Sequence, residues 1–338
     1  MKVTVFSSKR YERDFLRQHP TLTRVTPHID FEFLAMPLSE GTAPLAAGSD
    51  AVCAFVNDAL DAPVIARLAE GAVRCILLRC AGFNHVDLAA ASKHRIKVLR
   101  VPAYSPFAVA EFAVALLLTV GRKTHKAYNR TRESNFSLAG LMGFDVNGKT
   151  IGVCGTGKIG RLFAKIMLAF GTTVLAYDVY RNPEAEAMGV EYVSKDDLFA
   201  RSDIISLHCP LLPSTRHMID AEAIRKMKTG VILINTSRGE LMDMDALIKG
   251  LKGKKIGACA MDVVEGEAEL FFDDHSGEIL EDDRISMLMS FPNVLLTPHI
   301  AFCTDTAMLN IWGTTVSNML EFKEAGPDAT LTNEVIIQ

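Results

Sequence analysis

The sequence predicts an α/β fold with two doubly wound parallel sheets, each in its own domain. Short apolar strands alternate with helical stretches over the first hundred residues, and a second alternating series starts near residue 150. Alternation of this kind favours a parallel sheet covered by helices on both faces. The chain of 338 residues is long enough for two such domains, at roughly 100–200 residues each.

The first series contains five candidate strands, at residues 2–7, 31–36, 51–56, 75–80 and 97–102. It opens on MKVTVFSS, which reads as a strand and lacks the features of a signal peptide. A long helix is expected next, with Ser105 as N-cap, Pro106 in the first position and its end near Arg130. Its apolar run at 110–120 is too short for a bilayer, since a span needs about 20 residues. We therefore expect a buried helix in a cytoplasmic protein.

The second series contains six candidate strands, at residues 150–155, 172–178, 203–208, 231–237, 255–263 and 293–298. This rhythm is typical of a dinucleotide-binding sheet. A final helical stretch, residues 304–324, is expected to pack back on the first domain. The chain would then cross between the domains twice, which predicts a cleft. The expected domains are a first domain of residues 1–103 with 302–338, and a dinucleotide-binding domain of residues 104–301.

Charge and cysteine content exclude several classes of partner. The formal net charge is −4 and the basic residues are spread along the chain, so neither nucleic acid nor a membrane surface is expected. The acidic stretch 265–283, which holds nine acidic residues, is expected to be a solvated face or a lid. The seven cysteines form no CxxC pair and lie mostly in apolar runs, as expected of buried thiols in a reducing compartment. His208, His217 and His299 lack the spacing of metal ligands, so no metal is expected.

The segment GTGKIG, residues 155–160, matches the GxGxxG pattern of dinucleotide-binding turns. It follows one predicted strand and opens a predicted helix, which is the context that the pattern requires. Gly155 would make the tight turn, Gly157 would let the backbone approach a pyrophosphate, and Gly160 would let helix and strand pack closely. The helix N-terminus supplies free N–H groups for the phosphates.

Asp178 ends the next predicted strand, 18 residues after Gly160. A carboxylate there can accept hydrogen bonds from ribose hydroxyls and repels a 2′-phosphate, which favours NAD over NADP. Arg181 lies three residues further on and can in principle meet a phosphate, so NADP stays open as the alternative.

Three chemically active side chains follow three other strands of the second series. Arg238 follows residues 231–237, and an arginine can hold a carboxylate with two parallel hydrogen bonds. Glu267 lies in the loop after residues 255–263, and His299 directly follows residues 293–298. A histidine beside a carboxylate is a common general acid–base pair. Ligands bind at strand C-termini in such sheets, so the three are expected to share one site.

At this point the chain resembles the D-isomer-specific 2-hydroxyacid dehydrogenases, and most closely their D-lactate branch. The resemblance covers essentially the whole chain. It rests on FVND (55–58), RCAGFNHVD (79–87), RVPAYSP (100–106), AEFAVALLLTVGR (110–122), GTGKIG, SLHCPLLP (206–213), INTSRG (234–239), ACAMDV (258–263), LFFDD (270–274) and TPHIAF (297–302). It implies a flavodoxin-like substrate domain and a Rossmann NAD-binding domain. One departure is Ala268, where many relatives carry proline after the active-site glutamate.

The resemblance implies roles for the matching positions. His299 would protonate the keto oxygen during reduction, Glu267 would hydrogen-bond to His299, and Arg238 would bind the substrate carboxylate. The other implied substrate contacts are Ala81, Gly82, Tyr104 and Phe302. The implied NAD contacts are Gly155, Thr156, Gly157, Lys158, Ile159, Gly160, Asp178, His208, Cys209, Pro210, Thr236, Asp262 and Val109. Members of the family are usually dimers, so a homodimer or a dimer-based tetramer is expected, with residues 105–150 at the interface.

Pyruvate and D-lactate are the expected substrate pair, and two alternatives stay open. The first is a different keto acid, such as hydroxypyruvate, glyoxylate, 3-phosphohydroxypyruvate or a bulkier aliphatic or aromatic one. The second is a non-catalytic NAD(H)-sensing scaffold, as in corepressors with this fold. The arginine, glutamate and histidine are common to both classes and do not distinguish them.

Overall fold

A computed structural model describes residues 1–19, 22, 29–326 and 329–336. The chain forms two units, Met1–Ser105 with Cys303–Gln338, and Pro106–Phe302. Each unit is built on one parallel sheet, so the predicted fold class is confirmed. The cleft and the substrate-binding role of the first unit stay predictions.

The first unit contains a five-stranded parallel sheet in the order β2-β1-β3-β4-β5. Its strands are β1 (Lys2–Val5), β2 (Asp30–Phe33), β3 (Ala51–Ala54), β4 (Cys75–Leu78) and β5 (Lys97–Leu99). Every residue of β3 and β4 is buried, as expected of central strands covered on both faces. Each predicted strand is present but ends two or three residues early, because the apolar run continues into buried loops. Phe6 and Phe55 are examples, at 0% and 5% exposed.

Among the described residues, four α-helices belong to the first unit: α1 (Arg10–Gln18), α2 (Ala62–Glu70), α3 (Leu88–Lys93) and α12 (Asp305–Ala325). The final helix belongs to the first unit. Thr304 is its N-cap, and the Thr304 hydroxyl accepts a hydrogen bond from Ala307 N at 3.1 Å. Asn318 on the same helix donates to the carbonyl of Arg100 at 3.0 Å, which anchors the helix beside the end of β5.

A buried ion pair ties together the C-terminal ends of three strands in this unit. Arg79, which directly follows β4, donates from Nε to Glu12 Oε1 at 2.8 Å, and both side chains are almost fully buried. Its Nη2 also donates to the carbonyls of Phe6 and Ser7, each at 2.9 Å. The guanidinium lies over the ring of Phe55 at 4.8 Å. The loop after β4 is therefore held against the loops after β1 and β3.

The second unit contains a seven-stranded parallel sheet in the order β12-β11-β10-β9-β6-β7-β8. Its strands are β6 (Thr150–Cys154), β7 (Thr173–Tyr177), β8 (Glu191–Tyr192), β9 (Ile204–Leu207), β10 (Val231–Asn235), β11 (Ile256–Met261) and β12 (Val294–Leu296). Strands β7 and β8 lie on one side of β6, and the chain then returns to add β9 to β12 on the other side. The point between β6 and β9 is therefore the switch point, where ligands bind in doubly wound sheets. The edge strand β8 was not predicted, because two residues are too few to show a period.

Eight helices belong to the second unit: α4 (Pro106–Arg122), α5 (Thr124–Arg132), α6 (Lys158–Ala169), α7 (Pro183–Ala187), α8 (Lys195–Arg201), α9 (Ala221–Lys226), α10 (Met244–Lys252) and α11 (Asp283–Ser290). The predicted start at Pro106 is confirmed. The prediction of one helix as far as Arg130 is wrong, because Lys123 adopts a left-handed conformation with φ 53° and separates α4 from α5. Within the described ranges, none of the helices combines the length and apolar character that a membrane span requires.

Candidate active site

The turn between β6 and α6 forms the first part of the site. Gly155 has a φ of +96°, and a Cβ there would come within 2.7 Å of Cys209 N. A Cβ on Gly160 would collide with the carbonyl of Gly155. At Gly157, in contrast, a Cβ would meet no described atom within 4 Å. Two glycines are therefore required by packing inside the turn, and the third leaves open space above the first N–H groups of α6, where no side chain caps the helix.

The carboxylate of Asp178, directly after β7, is held by this turn. Its Oδ2 accepts hydrogen bonds from the backbone N of Thr156 at 2.6 Å and from the Thr156 hydroxyl at 3.1 Å. The hydroxyl of Tyr192 donates to the Thr156 hydroxyl at 2.7 Å. Sequence reasoning missed Tyr192, because it lies on the unpredicted strand β8. Arg181, the residue that could meet the 2′-phosphate of NADP, forms an ion pair with Glu186 at 3.6 Å.

Residues after β9 and β10 lie beside the same turn. His208 N donates to the carbonyl of Cys154 at 2.7 Å, and the His208 ring is within hydrogen-bond distance of Ser206 Oγ at 2.8 Å. Desolvation lowers the pKa of His208 to about 3, so this ring is neutral at physiological pH. Desolvation also raises the pKa of the Cys209 thiol to about 11. Pro210 follows these residues, and the buried Thr236 hydroxyl has no partner in the part of the chain that the structure describes.

His299 and Glu267 meet across the loops that follow β12 and β11. Nδ1 of His299 lies 2.7 Å from Oε1 of Glu267, and each side chain is 18% exposed. The other oxygen of Glu267 accepts from the backbone N of Val264 at 2.7 Å, so the carboxylate is fixed at both ends. His299 has a φ of 54° and Phe272 a φ of 76°, and their rings are 5.8 Å apart. Strained backbone of this kind is concentrated at functional sites.

Asp262 holds the His299 loop in place. Its two carboxylate oxygens accept hydrogen bonds from Ile300 N at 2.9 Å, from Ala301 N at 2.8 Å and from the Thr297 hydroxyl. Burial raises the pKa of Asp262, while these hydrogen bonds oppose that shift. The carboxylate is fully buried. The structure thus places this predicted NAD contact as the anchor of the segment that carries His299.

Arg238 follows β10 and lies at the same edge of the sheet, because β10, β11 and β12 are adjacent and parallel. Its Nη1 donates to the carbonyl of Ser237 at 2.7 Å. No carboxylate of the described residues forms an ion pair with its guanidinium. A Cβ on Gly239 would collide with the backbone of Val264, so this glycine lets the Arg238 loop pack directly on the loop that leads to Glu267.

The remaining predicted site residues are divided between the two units. Ala81, Gly82 and Tyr104 belong to the first unit, where the carbonyl of Ala81 accepts from Arg100 at 3.0 Å and that of Tyr104 accepts from Asn310 at 2.6 Å. Phe302 ends the second unit, and Val109 is nearly buried on α4. Their roles stay predictions.

Comparison with known proteins identifies the family. The sequence model of the D-isomer specific 2-hydroxyacid dehydrogenase, NAD binding domain, matches residues 114–301. The chain belongs to the D-isomer-specific 2-hydroxyacid dehydrogenase family. It is an NAD-dependent enzyme of that family.

Relatives of this 2-hydroxyacid dehydrogenase match it over nearly its whole length. A 2-hydroxyacid dehydrogenase homolog from Haemophilus influenzae is 48% identical, over 96% of each chain. The D-lactate dehydrogenase of Escherichia coli is 46% identical over 99% of this chain and 100% of its own, and its apo structure gives a TM-score of 0.89. The structure described as the pyruvate reductase of Chlamydomonas reinhardtii gives a TM-score of 0.90 at 46% identity, over 96% of this chain and 97% of that one.

The residues present fit NAD. The glycine turn leaves open space above the free N-terminus of α6, as a pyrophosphate requires. The buried, unpartnered hydroxyl of Thr236 is a polar group that lacks a partner within the described chain. Oδ1 of Asp178 accepts one long hydrogen bond, from Tyr180 N at 3.3 Å. This oxygen can therefore also accept a hydrogen bond from a ribose hydroxyl.

Proposed function

We propose that this enzyme is an NAD-dependent D-lactate dehydrogenase that reduces pyruvate to D-lactate with His299 as general acid. The observation that carries the proposal is the 2.7 Å contact between His299 and Glu267, at the same sheet edge as Arg238 and the glycine turn. The names of its relatives, a D-lactate dehydrogenase and a pyruvate reductase, support pyruvate as the substrate.

Glu267 determines which nitrogen of His299 carries the reactive proton. Because the carboxylate accepts the proton on Nδ1, the second nitrogen, Nε2, is the one that gives a proton to the keto oxygen. In the reverse direction the same nitrogen removes the hydroxyl proton. Bound NADH supplies the hydride that reduces the keto carbon.

Arg238 would bind the substrate carboxylate. Its guanidinium can form two parallel hydrogen bonds with a carboxylate, which fixes the position and the direction of the adjacent keto group. It would also stabilise negative charge as it develops on the keto oxygen. The chain thus contributes a proton, an orienting cation and a preorganised loop.

The experiment that tests this function is NADH oxidation followed at about 340 nm with pyruvate, glyoxylate, hydroxypyruvate, oxaloacetate and phenylpyruvate, and with NADPH in parallel. We expect pyruvate with NADH to give the highest kcat/KM and D-lactate as the product. A preference for another keto acid would overturn the substrate assignment. Tight NADH binding with no turnover of any acid would instead support an NAD(H)-sensing scaffold.

Replacement Glu267→Gln tests the pairing with His299. The amide keeps the size of the side chain but removes the negative charge that stabilises a protonated imidazole. We expect the rate of pyruvate reduction to decline at a lower pH than in the wild type, which a kcat–pH profile measures. The variant Glu265→Gln, two residues away in the same loop, is the matched control. An unchanged profile for Glu267→Gln would contradict the pairing.

We also propose that two copies associate through residues 105–150. The support is a run of exposed apolar side chains in this segment: Tyr128, Phe136, Leu138 and Met142 are between 60% and 87% exposed. Several exposed large apolar side chains within one segment are typical of an interaction site. We expect light scattering to give a dimeric mass for the wild type and a monomeric mass for Phe136→Asp with Leu138→Asp. A wild-type monomer would disprove the proposal.

A further inference from the structure

A cavity of about 290 Å³ lies within the first unit, where α1, β2 and α12 meet. Its apolar walls come from Leu16, Leu22, Phe31, Phe33, Trp312 and Val316, and Arg13 and Arg17 complete the lining. The volume is close to the lower end of the roughly 300–1,000 Å³ of small-molecule sites. Such sites typically combine apolar walls with a few polar groups.

The lining follows from the geometry of the three elements. Arg13, Leu16 and Arg17 are spaced i, i+3 and i+4, so they share one face of α1. Phe31 and Phe33 are two residues apart, so they share one face of the edge strand β2. Their rings stack with centroids 5.8 Å apart. These three elements therefore supply every lining residue except Leu22.

Arg13 gives the cavity a positive charge that no described acid neutralises by an ion pair. The Arg13 guanidinium forms no ion pair with any described residue, and Arg17 pairs, among those residues, only with Asp14, at 3.4 Å and largely in solvent. Glu12 is directed away, into its buried pair with Arg79. Glu32 lies on the opposite face of β2, where it pairs with Lys2 at 2.9 Å. An anionic ligand would therefore meet the guanidinium of Arg13, beside an Arg17 that Asp14 partly neutralises.

The indole of Trp312 forms part of the cavity wall. The side chain is 1% exposed, and its Nε1–H has no hydrogen-bond partner among the residues that the structure describes. Buried donors without a partner are rare in native proteins, because desolvation without a compensating hydrogen bond costs free energy. The Nε1 atom itself is inaccessible to solvent, so the indole contributes apolar wall to the cavity.

We propose that this cavity binds a small organic anion with an aromatic or branched apolar body. The carboxylate of the ligand pairs with Arg13 and Arg17, and its apolar body packs against Phe31, Phe33 and Trp312. The site lies within the first unit and contains none of the residues assigned to hydride transfer. It therefore stands independently of the proposed function.

Trp312 makes a direct test available, because the chain contains a single tryptophan. We would titrate the full-length protein, without cofactor, with 4-bromobenzoate and record tryptophan fluorescence, since bromine quenches an indole that it contacts. The matched probe is 4-bromobenzamide, which has the same shape and no charge. We expect saturable quenching by the benzoate and at least about tenfold weaker binding of the amide, because charge-assisted pairing is lost.

Three variants separate this site from others. Arg13→Gln should weaken 4-bromobenzoate binding at least about tenfold, whereas Arg10→Gln, on the same helix but outside the cavity, should not. Arg238→Gln should also retain the quenching, which excludes binding at the substrate carboxylate site. Circular dichroism would verify that each variant is folded. A lack of saturation, equal binding of the amide, equal binding by Arg13→Gln, or loss of quenching in Arg238→Gln would each overturn the proposal.

Discussion

Replacement His299→Ala is expected to reduce kcat for pyruvate reduction by about 10²- to 10⁴-fold, the usual contribution of a positioned general acid. The imidazole of His299 contacts Glu267 at 2.7 Å, and the backbone N–H of His299 donates to the carbonyl of Asp262 at 2.8 Å. Alanine removes the proton donor and leaves the glycine turn and Arg238 unchanged. NADH affinity, measured by fluorescence titration, should therefore stay close to the wild-type value while turnover is lost.

A second histidine in the same unit offers a matched control. His275 makes the same kind of contact, from Nδ1 to Glu278 Oε2 at 2.7 Å, but it lies in the acidic stretch 265–283 and does not follow a strand. We expect His275→Ala to change kcat less than about threefold, well below the effect of a lost general acid. If His299→Ala turned over at a near-normal rate, or if both histidine variants lost activity equally, the assignment of the general acid would be wrong.

Replacement Arg238→Lys is expected to lower kcat/KM for pyruvate by about two to three orders of magnitude. Lysine keeps the positive charge but lacks the planar fork that holds a carboxylate through two parallel bonds. Loss of one partner of a hydrogen-bonded charge pair typically costs about 2–5 kcal/mol. Steady-state kinetics over a wide range of pyruvate concentrations would measure the effect on both KM and kcat.

Arg216→Lys is the control for this change. Arg216 lies in the same unit and pairs with Glu265 at 2.8 Å, but it is half exposed, so its replacement should leave kcat/KM within about threefold, as is usual for exposed ion pairs. A small effect of Arg238→Lys, close to that of the control, would show that another group binds the substrate carboxylate.

Most of the strand framework follows from the sequence, because buried parallel strands give continuous apolar runs. The edge strand β8 and the break at Lys123 did not follow. Two residues are too few to show a period, and a left-handed lysine carries no local signal. Both features depend on tertiary contacts rather than on local preference.

The candidate site was likewise predicted only in part. Arg238, Glu267 and His299 were placed at one edge because each follows a strand of a parallel sheet. The roles of Tyr192 and Asp262 in positioning were not predicted. The hydroxyl of Tyr192 reaches Thr156 from a residue 36 positions away, and Asp262 accepts from backbone groups 38 and 39 positions away. Such long-range polar contacts have no signature in sequence spacing.

The buried pair of Arg79 and Glu12 constrains how this sequence can change over time. Loss of either partner would leave an uncompensated charge in the interior, at a cost of about 3–5 kcal/mol. That is a large part of the roughly 5–15 kcal/mol by which proteins are stable. A joint change of both residues to apolar ones of similar volume is far less costly. The two positions, 67 residues apart, are therefore expected to change together in evolution. A chain with only one of them altered would be the unstable intermediate between the charged and the apolar versions of this interior.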